Sequence, residues 1–237
     1  MDLSDPTRSV TPTLDGTVLA VLAVAGKPLT VGQIADQAVR GSEIGIRRSV
    51  ARLVEQGIVR STLMGRNLVH ELNREHVAAS VADMLANLRL ELWRRLREEL
   101  AGWRPLPLYA SVFGSAARGD GDEESDIDLL LVHPPFAGEK KPPRVSSILV
   151  SQIADALGPS SRGPEDAGKW QGQVDRLRTL VQRWTGNPLQ VVDLSFYEWR
   201  HPTKAHQPLL AEIQRDGVEL IGSDAMRSFR AVQATNG

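Results

Sequence analysis

Apolar positions between residues 14 and 56 recur at three- and four-residue spacing, which predicts three helices. Leu14 to Ala25 is rich in Val, Leu and Ala and stops at Gly26-Lys27-Pro28. Thr30 is placed to cap a second helix, Val31 to Val39, with Ile34, Ala35 and Ala38 inward. Ser42 caps a third that runs to about Gln56 and buries Ile46, Val50, Leu53 and Val54, with Gly57 as its C-cap. The period then changes. Ile58 to Leu63 and Asn67 to Leu72 read as strands around Met64-Gly65-Arg66, a hairpin with a glycine turn. Residues before Leu14 read as a short polar leader.

Residues 75–103 return to the helical period. Val77, Val81, Leu85, Leu88, Leu92, Leu96, Leu100 and Trp103 form a stripe, with Arg89, Glu91, Arg94, Arg95, Arg97, Glu98 and Glu99 on the other face. One long amphipathic helix is expected, acting as a connector or pairing with its copy in a homodimer. The dimer is favoured because no other segment obviously covers the stripe. Pro105 and Pro107 close the helix.

Strands and helices alternate beyond it. Leu108 to Phe113 and Asp126 to Val132 read as strands, followed by a proline-rich loop, His133 to Pro143, whose Lys140 and Lys141, with Arg144 just beyond, suit either contact with a phosphate tail or an ordinary surface loop. Val145 to Leu157 and Lys169 to Trp184 read as helices, Leu189 to Ser195 as a third strand, Thr203 to Asp216 as a helix and Val218 to Ile221 as an edge strand. The order implies an α/β (α+β) mixed sheet backed by helices on one side. The five tryptophans are scattered and read as packing anchors.

Length sharpens the division. A chain of 237 residues accommodates two modest domains, here 1–74 and 104–237 joined by 75–103. Charge is nearly balanced at a net −1, and there are no cysteines, which excludes disulfides and thiolate metal sites. The N-terminus lacks the basic start and apolar stretch of a signal peptide. No run approaches the roughly 18 apolar residues of a membrane span. A cytoplasmic protein is expected.

Chemistry concentrates in Gly114-Ser115-Ala116-Ala117-Arg118-Gly119-Asp120-Gly121-Asp122-Glu123-Glu124-Ser125-Asp126-Ile127-Asp128. Alternation puts Asp126 and Asp128 on one face of a strand, where two adjacent carboxylates repel unless a cation lies between them. Mg²⁺ favours one or two carboxylates plus substrate phosphate oxygens. Gly114-Ser115, at the mouth of a short helix, offers N–H groups and a hydroxyl to phosphate. Asp193 is a lone acid in the third strand, suited to a third metal ligand or to capping the next helix.

Gly-Ser, this spacer and Asp-x-Asp in an apolar strand resemble the nucleotidyltransferase superfamily of DNA polymerase beta, particularly its small bacterial antitoxin-type members. Arg118-Gly119 and Ser125 also match the usual form. The resemblance implies transfer of a nucleoside monophosphate from NTP, ATP being the favoured one, to a hydroxyl with release of pyrophosphate. It implies two Mg²⁺ ions on Asp126, Asp128 and Asp193, which are also the catalytic acids, and nucleotide contacts from Gly114, Ser115, Arg118 and Ser125. Arg118 is equally suited to pairing with the acids of its own loop. Implied acceptors are a partner toxin protein or tRNA. An aminoglycoside acceptor is disfavoured, because antibiotic-modifying relatives add a helical bundle after the third strand and only about 44 residues follow Asp193 here.

The first 74 residues resemble a winged helix-turn-helix domain of the bacterial regulator type, through three helices, a hairpin and Arg52-Leu53-Val54-Glu55-Gln56-Gly57-Ile58-Val59. The resemblance implies DNA binding by Arg47, Arg48 and Arg52 on the third helix and by Arg66 at the wing tip. Residues 1–76 carry nine Lys/Arg against eight Asp/Glu, weak for a DNA-binding field. A toxin–antitoxin component that regulates its own transcription is expected. The alternative is a transcriptional regulator whose nucleotidyltransferase domain only senses nucleotide.

Overall fold

The computed structural model describes residues 1–139 and 165–222. The expected helix Val145 to Leu157, the basic residues Lys140, Lys141 and Arg144, and the tail beyond Asp224 lie outside the described residues. The chain divides into two compact units, Met1–Leu92 with Asp122–Glu124, and Trp93–Gly121 with Ser125–Gly237. Among the described residues no helix is long and apolar enough to cross a membrane.

The N-terminal unit contains α1 (Asp15–Val24), α2 (Val31–Gln37), α3 (Glu43–Glu55), β1 (Val59–Met64), β2 (Asn67–Leu72) and α4 (Ala79–Ala86). Caps set the helix starts. The Thr30 hydroxyl accepts the Gln33 N–H while the Gln33 side chain accepts the Thr30 N–H, a reciprocal capping box. Ser42 accepts from the Gly45 N–H at 3.2 Å. Strands β1 and β2 pair antiparallel from Val59↔Leu72 to Met64↔Asn67, turning at Gly65 with φ +64°. A single bridge, Leu29↔His70, adds the chain before α2 to the hairpin. Val18, Leu22, Ile34, Ile46, Val50, Leu53, Ile58 and Leu72 share one core, so the apolar period seen in the sequence is its buried face.

The leader is more than a polar tail. It forms a 3₁₀ turn, Pro6–Ser9, and Leu3 is fully buried. Buried Asp5 accepts hydrogen bonds from the hydroxyls of Thr7 (2.5 Å) and Thr17 (2.7 Å) and from Arg40 Nε (2.5 Å). These donors hold its carboxyl below the usual carboxylate range although burial alone would raise it.

The expected single helix over 75–103 is two, α4 and α5 (Leu88–Ala101), meeting at Asn87. The Asn87 N–H is shared between the carbonyls of Asp83 (3.2 Å) and Met84 (3.1 Å), the tightened geometry of a helix end. Leu92, Leu96, Leu100 and Trp103 are at most 3% exposed. The chain itself covers this part of the stripe, whereas Val77 and Val81 at its start are exposed.

The C-terminal unit is built on a four-stranded mixed sheet in the order β5-β4-β3-β6: β3 (Tyr109–Phe113), β4 (Ile127–His133), β5 (Leu189–Ser195) and β6 (Val218–Gly222). β3 is antiparallel to both β4 and β6, and β4 is parallel to β5. Between the strands run α6 (Gly114–Arg118), α7 (Asp166–Thr185), α8 (Phe196–Arg200) and α9 (Gln207–Asp216). α8 was not expected. The Ser195 hydroxyl accepts the Glu198 N–H and Glu198 accepts the Ser195 N–H, a second capping box.

Helices cover both faces of the sheet, where the pattern predicted one. Tyr109, Leu130, Val132 and Leu194 pack with Phe196, Trp199, Leu210 and Ile213 of α8 and α9 on one face. The opposite parity, Leu129, Leu131 and His133, faces α7: the His133 ring lies 5.6 Å from that of Trp170. Burial on both faces is why β4 reads as Ile-Asp-Leu-Leu-Leu-Val rather than as an alternation, with Leu129, Leu130 and Leu131 all at 0% exposure.

Candidate active site

Strand β3 delivers the chain to Gly114, which takes φ +69°, a conformation that side-chain-bearing residues rarely adopt. A Cβ at this position would lie 2.4 Å from Asp128 Oδ2, so glycine is required twice, by the backbone and by the carboxylate. The register accounts for the approach, since Phe113 pairs with Asp128 across β3 and β4. The turn that opens α6 is thereby pressed against the second acid of the Asp-x-Asp pair.

Asp126 stands just before β4 and Asp128 is its second residue, so both are on one face. Asp128 is half-buried. Desolvation by burial raises its pKa, the charges of Asp126 and Glu212 add to the rise, and Arg118 opposes it. The pair therefore carries unbalanced negative charge in a partly dry place, the condition that favours a bound cation. Carboxylate oxygens are the hard donors Mg²⁺ takes. Asp126 and Asp128 fit a Mg²⁺ ion shared with substrate phosphates. Among the described residues no group of three or more His, Cys, Asp or Glu is placed to hold a metal.

Asp193 lies apart from them among the described residues. It pairs with Leu131 in the β4–β5 register, whereas Asp128 pairs with Gln190. Register partners share a face, and an odd offset of three residues puts Asp193 on the side opposite Asp128. There it accepts a hydrogen bond from Trp170 Nε1 at 2.8 Å. Surrounding protein raises its pKa, with the Trp170 bond and His133 pulling the other way.

The remaining expected contacts sort by what they touch. Ser115 is the second residue of α6, its carbonyl accepting from the N–H groups of Gly119 (2.8 Å) and Asp120 (3.1 Å), which closes the loop beneath it. Arg118 donates to Glu212 at 2.8 Å and Asp120 at 3.1 Å, so it is engaged with carboxylates of its loop and of α9. Ser125 is held by its backbone: its carbonyl accepts from Asn187 Nδ2 at 2.9 Å. Asn187 is fully buried, and the neighbouring Pro188 carbonyl accepts the Ile127 N–H at 2.9 Å. Two bonds from the turn before β5 thus fix the chain on either side of Asp126. The sequence marked Gly186-Asn187-Pro188 only as a turn, and nothing local points to its side chain. Glu212 was likewise missed. Its helical position is visible in the sequence, but its closeness to the Asp-x-Asp pair is set by tertiary packing.

In the N-terminal unit, Arg47 pairs with Glu43 at 2.7 Å along α3, and Arg52 clamps α3 to α1 through Asp15 at 2.5 Å. Arg48 and Arg66 are exposed and make no ion pair among the described residues. Of the four arginines expected at DNA, two are committed to carboxylates of their own unit.

Comparison with known proteins bears on the C-terminal unit. Residues 92–180 match the family model described as nucleotidyltransferase domain. The matched stretch contains Gly114, Ser115, Asp126 and Asp128 and ends before Asp193. No curated protein matches the chain. Among solved structures, a toxin-antitoxin with AMP-PNP is similar at a TM-score of 0.33 and 14% identity, over 61% of this chain and 85% of that one. A mutant of the toxin-antitoxin MntA-HpeT is similar at a TM-score of 0.35 and 13% identity, with the same coverage.

Proposed function

We propose that the C-terminal unit transfers a nucleoside monophosphate from NTP, ATP in the first instance, to a hydroxyl on a macromolecular acceptor, a partner toxin protein or tRNA. The observation that carries this reading is the contact between the Gly114 turn and Asp128, within the stretch that matches the nucleotidyltransferase family model. The acceptor hydroxyl gives up its proton to solvent as its oxygen forms a bond to the alpha phosphorus, and the bond from that phosphorus to the pyrophosphate oxygen breaks. Asp126 and Asp128 would hold Mg²⁺, which when bound would neutralise charge on the triphosphate. The Gly114–Ser115 turn, free of a Cβ, lets phosphate approach the backbone N–H groups. Asn187 keeps the Ser125–Asp126 peptide in place, so that positioning and charge neutralisation supply the rate.

In the same proposal the N-terminal unit is a winged helix that binds DNA, with Arg48 and Arg66 as the exposed cations and Arg47 and Arg52 secondary. The whole chain is then a toxin–antitoxin component that also regulates transcription. One observation favours a second reading. With Asp193 turned to the other face, the site has two acids, which suits a regulator that senses nucleotide without transferring it.

Transfer of label from alpha-³²P NTPs with Mg²⁺, in a lysate of the native host, tests both. A labelled protein or RNA is expected with the wild-type chain and is lost in the Asp126→Asn/Asp128→Asn double variant. Asp193→Asn is expected to retain label. Absence of label with every nucleotide, alongside nucleotide-dependent binding to its own promoter, moves the conclusion to the sensor.

A further inference from the structure

The N-terminal unit carries a pocket of about 320 Å³ that opens to the surface past Val24, Val39 and Leu90. Its walls are largely apolar, with Val21, Val24, Val39, Leu85 and Leu90 among them. Polar groups enter it from the leader, from Thr17 of α1, from Gln37 of α2 and from the start of α5. Two are satisfied. Asp5, on the lining, takes its three donors from Thr7, Thr17 and Arg40. Thr17 spends its hydroxyl proton on that carboxylate.

Arg89 differs. Its Nη2 donates to the backbone carbonyls of Leu3 (2.5 Å) and Ser4 (3.4 Å), both uncharged. Its Nε–H is buried and has no hydrogen-bond partner. It pairs with no carboxylate among the described residues, while Asp5, the acid on the lining, is already matched by Arg40. A guanidinium keeps its charge under almost any burial. Burial here works against that charge, pulling its pKa down. A half-buried cation without a counter-charge carries part of that desolvation cost, and an arginine fork matches a carboxylate in plane and spacing.

We propose that this cavity is a binding site for a small monocarboxylate with an apolar body, its carboxylate on Arg89 and its chain between Val21, Val39 and Leu85. A single guanidinium in apolar walls suits one negative charge. A phosphate ester, with up to two charges, needs further cations that the lining lacks. The volume falls at the small end of the roughly 300–1,000 Å³ typical of ligand pockets. The site is separate from the Asp126–Asp128 pair and stands whether or not the chain transfers nucleotide. Because the leader's Leu3 and Ser4 carbonyls and the ligand would share one guanidinium, occupancy reports on how the leader is held.

The test uses the full-length protein with hexanoate as probe and 1-hexanol as its neutral match, followed by titration calorimetry and by the ¹⁵N resonance of the Arg89 Nε–H. Hexanoate is expected to bind saturably, with Kd under about 1 mM, at least ten times more tightly than 1-hexanol, and to shift that resonance. Arg89→Gln is expected to remove the preference for the acid. Arg89 also anchors the leader, so Ala20→Phe provides the second variant: it fills the cavity, keeps the guanidinium and should abolish hexanoate binding. Absence of saturable hexanoate binding, equal affinity for acid and alcohol, or undiminished binding in Ala20→Phe overturns the proposal.

Discussion

Asp128 is held where burial, Asp126 and Glu212 all favour its protonated form. The sign of the consequence is fixed. A carboxyl whose pKa is higher folded than unfolded binds more protons in the native state, so stability falls as pH rises from the unfolded value of 3.8 through the folded one and stays reduced above it. Asp128→Asn removes that charge. It is expected to raise Tm at pH 7 by about 2–4 °C, the scale of one kcal/mol in a chain of this size, and the gain should shrink as pH is lowered toward 4. The same change should cut nucleotidyl transfer by about 10²–10³-fold, the scale of losing one preorganised electrostatic partner. Thermal unfolding at several pH values, with the transfer assay alongside, checks both. A variant that is more stable and less active is what a site under electrostatic strain gives.

At the scale of elements, the turn before β5 has an expected effect of its own. Asn187→Ala removes the side-chain donor to the half-buried Ser125 carbonyl and empties a fully buried position, which should destabilise the protein by about 1–3 kcal/mol in denaturant unfolding. It should weaken Mg²⁺ binding by loosening Asp126, without altering any acid. Legibility follows the same division between local and non-local. Helix starts at Thr30 and Ser42 were readable because a cap is a contact over three residues. α8 carried the same signal in Ser195 and Glu198 and was passed over as the end of a strand. Asp126 and Asp128 share a face by alternation within one strand, which the sequence states directly. Which residue of β5 lies beside Asp128 is a pairing across some sixty positions of chain, and a shift of one residue reverses every side chain. For that reason Asp193 was legible as an acid in a strand but not as an acid on the other face.

For the whole molecule, the leucine stripe is interior from Leu92 to Trp103. Leu96 is at 0% exposure, and Leu96→Ala is expected to cost about 2–5 kcal/mol. Sedimentation should show the same mass for this variant as for the wild type. A stripe at a subunit interface would instead give dissociation. The placement of β4 has a consequence in time as well as in space. It is an inner strand, hydrogen-bonded to β3 and to β5, whereas among the described residues β5 and β6 are the edges of the sheet. Opening of a sheet starts at its edges and reaches the centre last. In deuterated water the amides of Leu129, Leu130 and Leu131 should therefore exchange most slowly and those of β6 early. Asp128 hangs from that slow strand and Asp126 from the residue before it, so the distance between the two acids should outlast the breathing of the sheet around them.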